Sequence, residues 1–376
     1  MKVLIAGDLL PYDRVARLFE SERYDTVFGQ IRERIADADY AIVNFECPIC
    51  RGDEKAIEKL GPSHKCTNSV IGAIKYAGFD CVTLANNHFR DFGDEGCLNT
   101  LRELDDNGID HVGGGKNDRE AAEILYREID GKRLAVINCC EHEFSIACEQ
   151  HAGSNALNPI GQYHAIKEAR EKADFVVVIV HGGHEHYRLP SPRMVETYRF
   201  FVEAGADAVV NHHQHCFSGY EVYRGKPIFY GLGNFCFDKP VKRADMWNEG
   251  YLVELCLEED ESGFKVLPYI QCDDEPGVAA MCDDREEKFL SDLAAINAAI
   301  ADGRILKEQF DNWCDKKGKS CEGTLVPYTG KLSRWLYYKG VLSSTLTKGR
   351  LIGLYDVARC ESHYDVLIHY LEQKKK

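Results

Sequence analysis

The 376-residue sequence has no excess of positive charge: 46 lysines and arginines stand against 61 aspartates and glutamates, a formal net charge of -15. Nothing strongly basic is available to face a phosphate backbone, so no nucleic-acid partner is expected and only a local basic patch is left open. Long apolar runs are missing too. No segment approaches the ~18 consecutive apolar residues of a membrane span. The first residues, MKVLIAGDLLPYD, start a strand rather than a charged leader with an apolar core. With no sign of export, the 16 cysteines read as reduced thiols in a cytoplasmic protein. Cys47 and Cys50 have the spacing of a zinc or redox pair, but no second pair completes a zinc site, and the spacing reads as accidental.

What is present is a globular composition, 44% hydrophobic and 28% charged, long enough for one large or two ordinary domains. Apolar runs at 2–6, 40–43, 80–84, 134–138, 174–180 and 227–230 read as strands, as does the run ending at Val209-Val210. Residues 250–257 and 264–270 read as a closing pair of strands. Helices are expected over 13–37, 68–77, 94–107, 162–172 and 191–204, and a long irregular stretch over 139–160. Strands alternating with helices make an α/β fold with a largely internal sheet.

After about residue 275 the character changes. Residues 284–302, 331–346 and 351–373 have helical periodicity, which divides the chain into a domain over 1–275 and a helical C-terminal extension over 276–376. Between 316 and 350, Lys316, Lys317, Lys319, Lys331, Arg334, Lys339, Lys348 and Arg350 are interleaved with Trp335, Tyr337 and Tyr338. Such a face either binds an anionic polymer or partner, or packs its aromatics while its lysines stay solvated. Lys374 to Lys376 read as a frayed tail.

The functional signal lies in where the polar residues fall. Asp8, Glu46, Asn87 with His88, His181, and the pair His213 and His215 each sit just beyond an apolar run. Strand C-terminal ends are where open α/β sheets place their sites. Taken singly, Asp8 reads as a helix cap, Glu46 as solvated and His88 as a core histidine; six such coincidences in register, Asn87 and His88 counted together, read as one shared site. His213-x-His215 in an extended segment points both rings to one side, and neutral imidazole is the commonest metal ligand.

These motifs, GD at 7–8, NFECP at 44–48, LANNHFRDFG at 84–93, HGGHE at 181–185, HHQH at 212–215 and GLGNFCFD at 231–238, together with Glu221 and Tyr223, resemble the CapA family of capsule and poly-γ-glutamate biosynthesis. That family lies within the calcineurin-like metallophosphoesterases, and the resemblance covers residues 1 to about 240–270. It implies a four-layer α/β/β/α sandwich holding one or two divalent ions, manganese, iron or zinc by ligand type. By position, Glu46 is the bridging ligand, Asp8 and His215 belong to the first ion, and Asn87, His181 and His213 to the second. His88 is the acid for the leaving group, with Asp91 orienting it. Three departures accompany the match. Asp8-Leu9-Leu10 lacks the histidine of the superfamily's D-x-H, so the first ion is under-coordinated or absent. Glu46 replaces a more usual Asp. The family's HWG-x-EY reads HGGHEH here at 181–186, losing aromatic groups and gaining His184 and His186, as spare ligands, substrate contacts or solvated residues.

The leading expectation is a metal-dependent hydrolase of a small-molecule or polymer-linked phosphoester, connected by the resemblance to an anionic surface polymer. A metal-independent acid–base enzyme of the peptide-epimerase kind and a non-catalytic assembly component are the alternatives. A role in polymer synthesis then needs a cytoplasmic step or a membrane-associated partner.

Overall fold

The first strand shows how the molecule is layered. In the computed structural model, which describes residues 1–239, 245–258, 263–326, 328, 330–359, 363, 367 and 371, β1 (Lys2–Leu10) is buried from Val3 onward. Val3 and Ile5 face one apolar core, Leu4 and Ala6 another. Successive side chains of a pleated strand point to opposite faces, and an unbroken apolar run is what a strand covered on both faces requires.

From β1 the chain passes through α1 (Asp13–Glu20), α2 (Tyr24–Phe28) and α3 (Arg32–Ala36). One helix was expected there, but Glu22 takes a left-handed φ of 55° and interrupts the run. Next come β2 (Tyr40–Phe45), α4 (Ser69–Ala77), β3 (Cys81–Thr83), α5 (Gly93–Asp106) and β4 (Asp110–Val112). Strands β1 to β4 pair in parallel, each beside the next.

The chain then builds a second sheet. After β5 (Gly114–Gly115) and α6 (Asp118–Ala121) come β6 (Leu125–Ile129), β7 (Lys132–Cys140), β8 (Gly153–Ser154), α7 (Pro159–Lys172), β9 (Phe175–His181), α8 (Pro192–Ala204), β10 (Ala208–His212), β11 (Tyr220–Tyr223) and β12 (Lys226–Phe229). Helix α7 opens where Asn158 accepts from the N–H groups of Ile160 and Gly161, and α8 where Ser191 accepts from Met194, each with proline following. The second sheet runs β11-β12-β10-β9-β7-β6. Finally β13 (Asn234–Phe237) returns to lie parallel to β1, and β14 (Glu249–Cys256), β15 (Gly263–Gln271) and β16 (Val278–Ala280) extend the first sheet antiparallel. Strands β4, β5, β6, β8, β11, β13 and β16 had no counterpart in the sequence reading. Strands β6 and β11 are only half buried at the sheet edge and lack a marked apolar run.

Three cores separate four layers. Val15, Phe28, Val70 and Leu104 from the first five helices cover the outer face of the first sheet. Val3, Ile5 and Ile42 meet Val136, Val177, Ile179 and Val210 between the sheets. Val176, Val178, Val209 and Ile228 meet Ile166, Tyr198 and Phe201 of α7 and α8 on the far side. This is the expected α/β/β/α sandwich.

The chain divides into two compact units, Met1–Lys307 and Glu308–Lys376, later than the composition change near 275. The reason is α9 (Asp283–Ala301), which sends Phe289 and Leu293 into the inter-sheet core. The Phe289 ring lies 4.1 Å from that of Phe217. Helix α10 (Gly303–Leu325) was not anticipated; α11 (Lys331–Tyr338) and α12 (Lys348–Arg359) fall where helices were expected. Gly340, at φ 75°, follows the end of α11 short of residue 346. Most positions after 359, including the lysine tail, lie outside the described residues. Within the second unit Tyr337 is buried against Tyr328, whereas Trp335 and Tyr338 are exposed. No helix among the described residues is long and apolar enough to cross a membrane.

Candidate metal centre

The parallel strands deliver their C-terminal ends to one place. In β1 the pairing register shifts around Gly7, where a Cβ would sit 1.9 Å from the Gly233 carbonyl oxygen. Only glycine permits that approach, and it sets Asp8 in the floor of the site. Glu46 follows β2, its N–H bonded to the Leu9 carbonyl at 3.0 Å. His181 ends β9 and His212 ends β10. His213 and His215 follow at φ 97° and 54°, left-handed values rather than the extended backbone expected, in a turn held by a hydrogen-bond network. Asn211 supplies part of it, donating to the carbonyls of Gly182 at 2.9 Å and Tyr230 at 3.0 Å while accepting from the Tyr198 hydroxyl at 2.7 Å.

Asp8, Glu46 and His215 are buried and bring one ligand atom each within 4.8 Å of the others. Asp8 accepts from Asn44 Nδ2 at 2.7 Å, and His215 Nδ1 meets Asn234 Oδ1 at 2.9 Å. Beside them lies a second cluster. His181 Nε2 is 3.0 Å from Asn87 Oδ1 and 3.1 Å from His213 Nδ1. Glu46 joins the two: its Oε1 is 3.7 Å from His215 Nε2 and 3.8 Å from His181 Nε2.

Burial governs the protonation of this set. It pushes the Asp8 carboxyl up to about 7, against the hydrogen bond from Asn44, and raises Glu46 well above the carboxylate range, with the neighbouring Asp8 charge adding to it. The same desolvation, followed by mutual repulsion among the rings, holds His181 and His215 well below the usual imidazole range. Both are therefore neutral, the form that ligates a metal. Without a cation the two carboxyls hold protons; a cation bound beside them would displace those protons and stabilise both as carboxylates.

The fit to such an ion can be tested on Glu46. Its side chain is fully buried and neither carboxylate oxygen has a hydrogen-bond partner. A buried carboxylate without donors is strongly disfavoured unless a cation or a proton completes it. A mixed set of carboxylate, amide and imidazole groups suits manganese, iron or zinc. The residues present fit a divalent ion. Leu10, in place of the D-x-H histidine, is buried in the apolar core against the helices and offers no donor.

A third group adjoins the cluster. His88 Nδ1 lies 2.6 Å from Asp91 Oδ2. The other Asp91 oxygen accepts from Lys59 Nζ, and the His64 N–H reaches Oδ2 at 2.7 Å. The His64 ring packs edge-on to His88 at 4.6 Å, and burial lowers its pKa to about 4. The 139–160 stretch folds over this turn: Ser154 Oγ accepts from the Asn86 N–H at 3.3 Å, Arg90 Nε donates to the Ala152 carbonyl at 2.8 Å, and Asn87 Nδ2 reaches Glu143 at 3.3 Å.

All eight residues singled out in the sequence thus come together. Of the two remaining histidines, His184 is half buried with its ring 6.5 Å from Tyr187. His186 is exposed, 5.8 Å from the Trp247 ring. Sequence reasoning missed Asn44, Asn234, Glu143, His64 and Lys59. The two asparagines sit inside the strand-end motifs and were readable there as polar residues in apolar surroundings. Lys59 and His64 lie in an irregular charged stretch that carries no periodic signal. The described cysteines, Cys47 and Cys50 included, are free thiols.

The sequence profile of the bacterial capsule synthesis protein PGA_cap family matches residues 2–239, and the chain belongs to that family. Over 247 residues it is 32% identical to the capsule biosynthesis protein CapA of Bacillus anthracis, a match covering 64% of this chain and 60% of that protein. Over 269 residues it is 31% identical to the PGA biosynthesis protein CapA of Bacillus subtilis, covering 70% and 69%. The chain thus matches less than two thirds of the first relative's length. Among solved structures it is similar to a phosphatase from Mycoplasma pneumoniae, at 13% identity and a TM-score of 0.45, over 73% of this chain and 95% of that one.

Proposed function

We propose that the chain is a metal-dependent phosphoester hydrolase serving the biosynthesis of an anionic surface polymer. The observation that carries the chemistry is Glu46, a buried carboxylate with no donor, reaching one imidazole of each cluster. Asp8, Glu46 and His215 would hold one divalent ion, and Glu46, Asn87, His181 and His213 a second. Ions held there would neutralise charge on a transferring phosphoryl group.

The chain's own residues supply the rest. In its imidazolium form His88, with Nδ1–H on Asp91, would give its Nε2 proton to the departing ester oxygen as that oxygen's bond to phosphorus breaks and a water oxygen bonds to phosphorus, and a proton released from that water restores the imidazolium. Asn44 and Asn234 hold Asp8 and His215 in place by hydrogen bonds at 2.7 and 2.9 Å, as groups behind metal ligands do. The polymer connection rests on family membership and on the names of the two Bacillus relatives, and the substrate is proposed as a small-molecule or polymer-linked phosphoester.

Elemental mass spectrometry on protein purified without chelator or affinity nickel tests the reading, with Glu46→Ala and His213→Ala beside wild type. One or two equivalents of manganese, iron or zinc, lost in the variants, support it. Protein that holds no metal and takes up none from added manganese or zinc refutes it.

A further inference from the structure

The segment 51–67, between β2 and α4, is irregular and rich in charge, yet it delivers a lysine into the interior. The Lys59 side chain is 4% exposed and that of Asp91 0%. A lysine is almost never this buried unless paired, and no part of the hydrolase reading above uses it.

Three donors converge on one carboxylate. Lys59 Nζ donates to Asp91 Oδ1, the His64 N–H donates to Oδ2 at 2.7 Å, and His88 Nδ1 stands 2.6 Å from Oδ2. An ammonium group has three protons and no acceptor, so it keeps Asp91 ionised. An ionised carboxylate only accepts. His88 Nδ1, at 2.6 Å from it, therefore carries a proton, because a bare ring nitrogen there would set two lone pairs against each other. The 3.2 Å approach of Lys59 Nζ to the same Nδ1 is then two donors side by side on one anion. Which ring nitrogen bears the proton is set by the partner of the other.

We propose that Lys59 is a positioning residue: it anchors Asp91, which fixes His88 in the Nδ1–H tautomer and reserves Nε2 for proton exchange with the substrate. The last clause rests on the hydrolase reading; the tautomer assignment stands without it. Lys59 touches no reacting atom. It acts through Asp91, and a neutral residue of similar length cannot substitute because the carboxylate would lose its counter-charge in a site where water does not replace it.

Histidine-selective nitrogen-15 NMR of the Zn2+-loaded protein at pH 8 reads the tautomer directly, with the His88 signals assigned by their loss in His88→Gln. Wild type should show Nδ1 protonated and Nε2 bare. Lys59→Arg should retain that signature, and Lys59→Met and Lys59→Gln should convert it to a mixture or to the opposite tautomer, with far-UV circular dichroism confirming the fold. Should both neutral variants fail to fold, the wild-type spectrum still decides the tautomer, and loss of the signature in a folded Lys59→Arg would overturn the part assigned to Lys59. An Nε2–H tautomer in wild type, or an unchanged signature in a folded neutral variant, overturns the proposal. With a phosphoester substrate in hand, Lys59→Met should lower kcat by up to about 100-fold at unchanged KM. Wild-type protein that shows the locked tautomer but hydrolyses no phosphoester rejects the hydrolase reading and leaves the Lys59 assignment intact.

Discussion

Replacing Glu46 by methionine should make the metal-free protein more stable and the metal-loaded protein less so. Glu46 is fully buried with both carboxylate oxygens unpartnered. An unsatisfied buried polar group costs about 1–3 kcal/mol, more when charged, and methionine fills a similar volume without polar atoms. In EDTA, Glu46→Met should therefore be about 1–3 kcal/mol more stable than wild type, a rise in Tm of roughly 2–4 °C per kcal/mol for large domains. With Mn2+ at about 1,000 times its dissociation constant, wild type should gain roughly 4.1 kcal/mol by linkage and the variant little, reversing the order. The pH dependence has a defined sign. Burial raises the folded carboxyl of Glu46 above its unfolded value, so the folded chain binds the proton more tightly and stability is lost as pH rises. The metal-free deficit of wild type should widen between pH 5 and pH 8. Differential scanning calorimetry of both proteins, with EDTA and with Mn2+, makes the measurement. A variant less stable than wild type in EDTA at pH 8, or Mn2+ raising both Tm values equally, would refute the reasoning.

Other outcomes follow from the same structure. Phe289→Ala should cost about 3–5 kcal/mol, since the ring is buried against Phe217 in the inter-sheet core; urea denaturation should show it, and truncation after residue 283 should destabilise far more than truncation after 307. His64 titrates near 4 in the folded chain rather than 6.5, so the unfolded chain takes up a proton first on acidification. Up to about 3 kcal/mol of stability should disappear between pH 6.5 and 4, and His64→Gln should flatten that part of the profile. Asn211→Leu removes a buried amide that bonds the carbonyls of Gly182 and Tyr230; it should destabilise by several times the ~1 kcal/mol of one hydrogen bond, and isothermal titration should show weakened Mn2+ binding.

The layering was legible because each central strand is covered on both sides and so appears as an uninterrupted apolar run, with Phe175–His181 the plainest case. The site was legible for a related reason: a buried run that stops at a carboxylate or imidazole, as at Asp8 or His181, marks a strand end carrying chemistry. Two other features left no such trace. Strand β13 pairs with β1 across more than 220 residues of sequence, a contact no local pattern encodes. Helix α9 belongs with the sheets because of Phe289 and Leu293, two residues that an exposed helix in an appendage would carry equally well. Lys59 was hidden because a lysine in a charged loop is ordinarily solvated, and only the tertiary pairing with Asp91 reveals otherwise.

The backbone at His213 and His215, at φ 97° and 54°, ties the two imidazoles to the turn that carries them. A left-handed residue redirects the chain, so two rings separated by a single residue reach different neighbours, His213 toward His181 and His215 toward Asn234. A β-branched residue at either position would be strained, whereas asparagine or glycine would fit the same backbone. The turn therefore decides which exchanges empty the site while leaving the fold in place.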